Sequence, residues 1–187
     1  MPYNPYANFW LASDGRVYGS AKQLITDTSD PDYVAWTSAG NMASTWPMDI
    51  DGIQTNAALQ EVLAPYETLF VDLVAYAADA RWRRQTGGYS VAGVNYTSDR
   101  FSQANRQAAY IFGQNNPSYV FQWKPLGSRV FYALTQAQLN DVVMSESTLV
   151  QQCFACESST VADINAGTIT TRAQVDAAFA AISNVFP

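Results

Sequence analysis

Residues that could perform acid–base chemistry are few in this chain of 187 residues. The sequence contains no histidine, which excludes histidine general-base catalysis. A glycan or peptidoglycan hydrolase would instead need two carboxylates with separated pKa values. The candidates lie in two aspartate-rich segments, whose turn and helix-cap patterns explain them without catalysis: Asp27, Asp30, Asp32, Asp49 and Asp51. We therefore expect that the protein is not an enzyme and that it uses no cofactor.

The two cysteines, Cys153 and Cys156, form a single Cys-x-x-Cys motif. A redox-active motif would stand at a helix N-terminus after a strand, whereas this one lies deep inside a long helical pattern. A zinc site would need two further thiol or imidazole ligands, and the sequence contains none. We interpret both cysteines as reduced core residues and predict no metal site.

The composition is that of a folded chain with a large core. Hydrophobic residues make up 48% of the sequence, charged residues only 14%, and aromatic residues 13%. Tyrosine and tryptophan also supply rigid contact area at protein interfaces. The composition thus suits a subunit of an assembly, and a small, well-packed monomer remains the alternative.

The net charge of −6 argues against a nucleic-acid partner, because phosphate backbones attract basic surfaces. Three arginines between residues 81 and 84 fall in the last turn of a predicted helix, where cations offset the helix dipole. The best apolar run, 69–78, is too short to span a membrane, which takes ~20 apolar residues. The N-terminus lacks the pattern of a secretory signal, so we expect synthesis in a cytoplasm and no membrane partner.

Residues 1–10 are predicted to form an extended arm, because Pro2 and Pro5 restrict the backbone and disfavour a helix before them. The arm carries four aromatic residues that could dock onto another subunit. Docking onto its own domain is the alternative. The predicted subunit-binding residues are Tyr3, Tyr6, Phe9 and Trp10.

The segment that follows the arm is predicted to be a small subdomain, which together with the arm spans 1–64. An Asp-Gly pair, Asp14-Gly15, predicts a β-hairpin. Asp30 is predicted to cap a short helix that has Pro31 at its first position. A second short helix is predicted from Asn56 to Leu63, before Pro65.

The second predicted domain, 65–187, alternates helices with hairpins. A helix to about Gln85 is followed by strands at 89–91 and 94–96, a helix over 99–113 capped by Thr97 or Ser98, and strands at 119–123 and 130–133. Thr135 is predicted to cap a long helix that ends at Gly167, and Thr170-Thr171 to cap a last helix. We predict an α+β fold in which both hairpins join one small antiparallel sheet, with helices on one side.

Several motifs occur in a fixed order in this second domain. They include Gly87-Gly88-Tyr89-Ser90-Val91, then Thr97-Ser98-Asp99-Arg100-Phe101-Ser102-Gln103, and later Ile164-Asn165-Ala166-Gly167. In this order, residues from about 75 to 183 resemble a phage and prophage module of unknown function. The module is found in tail-fibre, baseplate-associated and tail-fibre-assembly proteins of tailed phages. The resemblance implies no catalytic residues.

The resemblance implies a structural protein at the tail tip, baseplate or tail fibre of a virion, made in the bacterial host cytoplasm. Its partners would be other phage tail or fibre proteins, in a homo-oligomer or a hetero-assembly. A tail-fibre assembly chaperone is the alternative. Less favoured are a hydrolytic tail protein and a glycan-binding module, in which Tyr33, Trp36 or Trp46 would stack on a sugar ring.

Overall fold

The computed structural model describes residues 4–187. The chain divides into an N-terminal unit (Met1–Tyr76) and a C-terminal unit (Ala77–Pro187). Six α-helices and nine strands lie within the described residues, and the strands form three separate sheets. The α+β class predicted from the sequence is confirmed.

The N-terminal unit is built on a four-stranded sheet with the order β3-β2-β1-β4. Strand β1 pairs antiparallel with β2, as the Asp-Gly signal predicts, and parallel with β4. The other elements are two α-helices. Their bounds are β1 (Phe9–Leu11), β2 (Arg16–Gly19), β3 (Leu24–Asp27), α1 (Pro31–Ser38), β4 (Ser44–Thr45) and α2 (Asn56–Leu63).

The core of this unit is aromatic, and its polar ring atoms bond to backbone carbonyls. The Tyr18 hydroxyl donates to the Phe70 carbonyl (3.1 Å), and Trp46 Nε1 donates to the Thr55 carbonyl (2.9 Å). Buried polar ring atoms therefore have the partners that burial demands. The buried core residues are Trp10, Ala12, Tyr18, Trp46, Leu59, Leu63, Leu69 and Val71.

The C-terminal unit is organised by one long helix. Its elements alternate largely as the sequence predicts, and helix α3 begins just before the boundary between the units. The bounds are α3 (Leu73–Thr86), β5 (Tyr89–Val91), β6 (Val94–Tyr96), α4 (Arg100–Asn115), β7 (Phe121–Trp123), β8 (Tyr132–Leu134), α5 (Gln136–Asn165), α6 (Arg172–Ala180) and β9 (Val185–Phe186).

Helix starts follow local capping chemistry. Thr135 and Gln138 form a capping box at α5, and Thr171 and Gln174 form another at α6. At α4 the predicted cap, Thr97 or Ser98, is wrong, because the side chain of Asp99 accepts the hydrogen bond from the Ser102 amide (2.9 Å). A short acidic side chain one residue later serves the same capping function.

The prediction that both hairpins join one antiparallel sheet is also wrong. The edge of β5 is occupied by β9, which pairs with it in parallel, so the first sheet has the order β6-β5-β9. Strands β7 and β8 form a two-stranded sheet of their own. Beside β6, the Leu126 amide in the loop before β8 donates to the Asn95 carbonyl (2.9 Å), a loop contact in place of strand pairing.

The long helix α5 presents one buried stripe to the rest of its unit. A polar pair interrupts this stripe, because the guanidinium of Arg106 on α4 binds the carboxylate of Glu146, with Nε 3.0 Å from Oε2. Arg106 is 0% exposed and also donates from Nη2 to the Thr97 carbonyl. The buried stripe of α5 comprises Leu139, Val142, Val143, Glu146, Leu149, Cys153 and Thr160.

Candidate functional site

The aspartates that could serve as catalytic carboxylates are engaged in turns and caps. Asp27 accepts hydrogen bonds from the Ser29 amide (2.7 Å) and hydroxyl. Asp49 accepts from the amides of Asp51 (3.0 Å) and Ile53 (2.9 Å). Asp30 caps α1 by accepting from the amides of Asp32 (3.0 Å) and Tyr33 (3.1 Å). These contacts explain Asp27, Asp30 and Asp49 as local structure, and Asp32 forms an ion pair with Lys22.

The lowered pKa of Asp27 agrees with its structural role. The Ser29 hydroxyl and amide lower the pKa of Asp27, whereas a general acid at neutral pH needs a raised pKa. Cys153 and Cys156 are both free, and burial raises the pKa of Cys153, the opposite of what a reactive thiol needs. Within residues 4–187, no three His, Cys, Asp or Glu side chains are grouped to hold a metal ion.

The predicted aromatic arm is folded into the N-terminal unit from Phe9 onward. Phe9 and Trp10 belong to β1, and Trp10 is only 2% exposed, so the prediction of an extended arm through residue 10 is corrected. The Phe9 ring packs on Trp36 at 5.1 Å between centroids. Tyr6 is half exposed and meets Tyr66 edge-on, and Tyr3 lies outside the described residues.

One of the three rings proposed for sugar stacking is inaccessible. Trp46 is fully buried, and its indole N–H is bonded to the Thr55 carbonyl, so it cannot stack on a ligand. Trp36 and Tyr33 are half-buried beside Phe9. Of the three rings, only Tyr33 and Trp36 therefore remain partly exposed.

Several exposed aromatic and aliphatic side chains lie near the second hairpin of the C-terminal unit. They surround β7 and β8, together with the C-terminal end of α4. We call this group the hairpin surface, defined by Phe112, Tyr119, Val120, Val130, Phe131 and Tyr132.

The hairpin surface is held in place by residues on the inner face of the same two strands. Phe121 pairs with Leu134 across the ladder, and both are buried against Leu139 and Val143 of α5. The Tyr119 ring packs edge-on against Phe121 (5.0 Å). Because strand side chains alternate between faces, Gln122 and Ala133 lie on the opposite, outer face of these strands, and both are exposed.

Two exposed edges accompany these exposed side chains. Neither β7 nor β8 has a second strand neighbour within the described residues, so both outer edges are unpaired. A two-stranded sheet is marginally stable on its own, and contiguous exposed apolar side chains mark interaction sites in folded proteins. The arrangement can bind an apolar partner surface or accept an added strand.

Sequence reasoning predicted the two strands but missed the surface. The runs 119–123 and 130–133 are nearly continuous in apolar residues, a pattern typical of strands buried on both faces. Here the two strands pair with each other, and one face of the hairpin packs on α5 through Phe121 and Leu134. A nearly continuous apolar run in a hairpin with few covering elements was the sequence signal that could have predicted this exposed surface.

The motif residues after α3 have structural roles. The φ angle of Gly88 is +91°, which favours glycine, and its amide donates to the buried Ser98 hydroxyl (2.9 Å). Gln103 Nε2 donates to the Ser98 carbonyl (2.7 Å), and the Arg100 guanidinium lies 4.7 Å from the Trp82 ring centroid. These contacts join the first hairpin and α3 to the start of α4.

Comparison with known proteins gives one family. The family model described as "Domain of unknown function (DUF4376)" matches residues 71–182, more than half of the chain. No curated protein and no solved structure matches the chain. None of the helices within residues 4–187 is both long and apolar enough to cross a bilayer. The chain therefore belongs to the DUF4376 family.

Proposed function

We propose that the protein is a structural component of a tailed-phage virion, at the tail tip, baseplate or tail fibre, and that it acts by binding other subunits. The observation that carries this proposal is the hairpin surface. Phe131 is 61% exposed and directly precedes β8, in a sheet whose outer edges have no strand partner within the described residues. Exposure of such side chains costs free energy in water, and burial against a partner recovers it.

The phage context rests on the resemblance of the Gly87-Gly88 hairpin and the Thr97–Gln103 segment to modules of tail proteins. The engagement of the aspartates in turns and the raised pKa of Cys153 favour binding over catalysis. The net charge of −6 favours protein partners over nucleic acid.

Quantitative mass spectrometry of purified particles tests the location. The proposal expects a fixed number of copies per particle. Absence from mature particles, with fibres that fail to assemble when the protein is missing, would instead identify an assembly chaperone. Absence from particles that assemble and infect normally without the protein would contradict both functions.

A pair of matched variants tests the binding surface. Phe131→Ser removes an exposed ring from the hairpin surface, and Phe101→Ser removes a ring that is 75% exposed at the other end of α4. Both variants should keep the thermal stability of the native protein. Only Phe131→Ser should reduce incorporation into particles, and equal incorporation of the two variants would reject the hairpin surface.

A further inference from the structure

A cleft of about 230 Å³ opens in the N-terminal unit between β3 and α1. Its walls are mainly apolar and include Phe9 from β1, Leu24 from β3 and Trp36 from α1. Gly19 seats the Phe9 ring, because a Cβ atom at that position would come within 2.8 Å of it. The cleft is thus a feature built from three elements.

Strand β3 borders the cleft and is an edge of its sheet. The sheet order is β3-β2-β1-β4, and within the described residues no strand pairs with the outer side of β3. Leu24 and Thr26 both line the cleft, as expected for alternate residues that share one face of a strand. A strand added beside β3 would direct alternate side chains toward the mouth of the cleft.

The rim of the cleft is acidic. Asp30 and Asp32 line the cleft together with Lys22, which forms an ion pair with Asp32, so two carboxylates and one ammonium leave a net charge of −1. Asp32 is engaged by Lys22, and Asp30 by the backbone amides that it caps. A sugar ring needs several free hydrogen-bonding partners, whereas these walls and this charge suit an apolar side chain flanked by basic ones.

We propose that β3 and the cleft bind an extended segment of a partner protein as an added β-strand. One aromatic or aliphatic side chain of that segment enters the cleft beside Trp36, and lysine or arginine side chains flank it along the acidic rim. A second copy of this chain fits less well, because two acidic rims would face each other and each chain carries a net charge of −6. This site is separate from the hairpin surface and does not depend on the virion proposal.

Titration of the full chain with three blocked peptides, followed by NMR of the backbone amides, tests the site. Lys-Thr-Phe-Thr-Lys should shift the amides of β3 and the Trp36 indole, with a Kd on the order of 1 mM that weakens as salt is added. Lys-Thr-Ser-Thr-Lys and Glu-Thr-Phe-Thr-Glu should bind about tenfold more weakly, because each lacks one of the two features. Equal shifts with all three peptides would overturn the proposal.

Two variants separate the cleft from general surface effects. Leu24→Ser removes a wall side chain that is 55% exposed, and Ile53→Ser removes a side chain that is 60% exposed outside the cleft. Leu24→Ser should weaken binding of the phenylalanine peptide about tenfold, and Ile53→Ser should leave it unchanged. Equal binding by both variants would contradict the site. Self-association that Leu24→Ser abolishes would assign the edge to a second copy and also overturn the proposal.

Discussion

In the N-terminal unit, the rings of Trp10, Tyr18 and Trp46 lie inside the core, and the polar atoms of Tyr18 and Trp46 donate to backbone carbonyls. In the C-terminal unit, the rings of Tyr119 and Phe131 remain exposed around a two-stranded sheet. The many aromatic residues of this chain therefore form a buried core in one unit and an exposed surface in the other. The number of covering elements decides between them, since a four-stranded sheet with its helices hides rings that a lone hairpin cannot.

The two cores also differ in how they treat charge. The described core of the N-terminal unit is formed by neutral residues, whereas the C-terminal unit encloses the Arg106–Glu146 pair. The guanidinium of Arg106 also lies 5.5 Å from the Tyr89 ring centroid and 5.9 Å from that of Trp123. The pair thus ties α4 to α5 and contacts both hairpins, so a polar contact organises the centre of this unit.

The first prediction tests the aromatic core of the N-terminal unit. Trp10→Ala should lower the free energy of unfolding by about 3–5 kcal/mol, because it leaves a cavity beside Tyr18. The control Tyr6→Ala removes a half-exposed ring and should cost less than about 1 kcal/mol. Chemical denaturation measures both free energies of unfolding, and hydrogen exchange assigns each loss to one unit. Equal losses for the two variants would support the original prediction of an extended arm through residue 10.

The second prediction breaks the buried charge pair. Arg106→Met should destabilise the C-terminal unit by about 3–5 kcal/mol, because Glu146 is left buried without its partner. The double variant Arg106→Met, Glu146→Leu should regain most of that loss, since both buried charges are then absent. The same hydrogen-exchange measurement applies.

The exposed pair that Arg83 makes with Asp79 provides the control for this prediction. Arg83→Met should cost less than about 1 kcal/mol, because solvent screens the charges and the side chains remain mobile. If Arg106→Met cost no more than Arg83→Met, the pair would not organise the core.

Local signals in the sequence predicted much of the fold. The Asp30-Pro31 start of α1 and the Thr135 and Thr171 caps depend on residues within one helical turn. The position of β9 beside β5 depends on the far end of the chain, and Arg106 finds Glu146 across 40 residues. No periodicity encodes such partners, which is why the sheet pairing and the ion pair were missed.

The structure leaves Tyr6 of the predicted arm half exposed, buries Trp10 and exposes further rings around β7 and β8. The sequence predicted an extended arm because Pro2 and Pro5 disfavour a helix, and its aromatic residues could dock onto another subunit. Burial of Trp10 depends on packing against residues as distant in sequence as Leu59 and Val71, which a pattern within ten residues cannot reveal. Exposure of Phe131 likewise depends on the absence of a third strand beside β7 and β8 within residues 4–187.

The third prediction concerns a feature that the units share. Thr55 caps α2 in the N-terminal unit, and Thr135 caps α5 in the C-terminal unit. Thr55→Ala and Thr135→Ala should each cost about 1 kcal/mol of unfolding free energy, because each leaves a helix amide without its acceptor. Thermal denaturation checks this, and a much larger cost in one unit would mean that the caps also carry tertiary contacts.

The fourth and smallest effect concerns acid. Hydrogen bonds from serine lower the pKa of Asp27 in the N-terminal unit and of Asp99 in the C-terminal unit below the ordinary value of 3.8. Because the folded pKa is depressed, the resulting stabilisation is complete above the unfolded pKa and is lost as pH falls through the folded value. NMR titration of the carboxyl carbons should find both pKa values below 3.8. Ser29→Ala and Ser102→Ala should each raise the pKa of the nearby aspartate only.

The most direct test of the central claim compares the two regions in one assembled particle. A photoreactive phenylalanine analogue replaces Phe131 on the hairpin surface in one variant, Tyr6 of the N-terminal unit in a second, and Phe101 in a control. Irradiation followed by mass spectrometry should give a cross-link to another particle protein from position 131, and none from 6 or 101. A cross-link from position 6 with none from 131 would show that the N-terminal aromatic segment binds the neighbouring subunit.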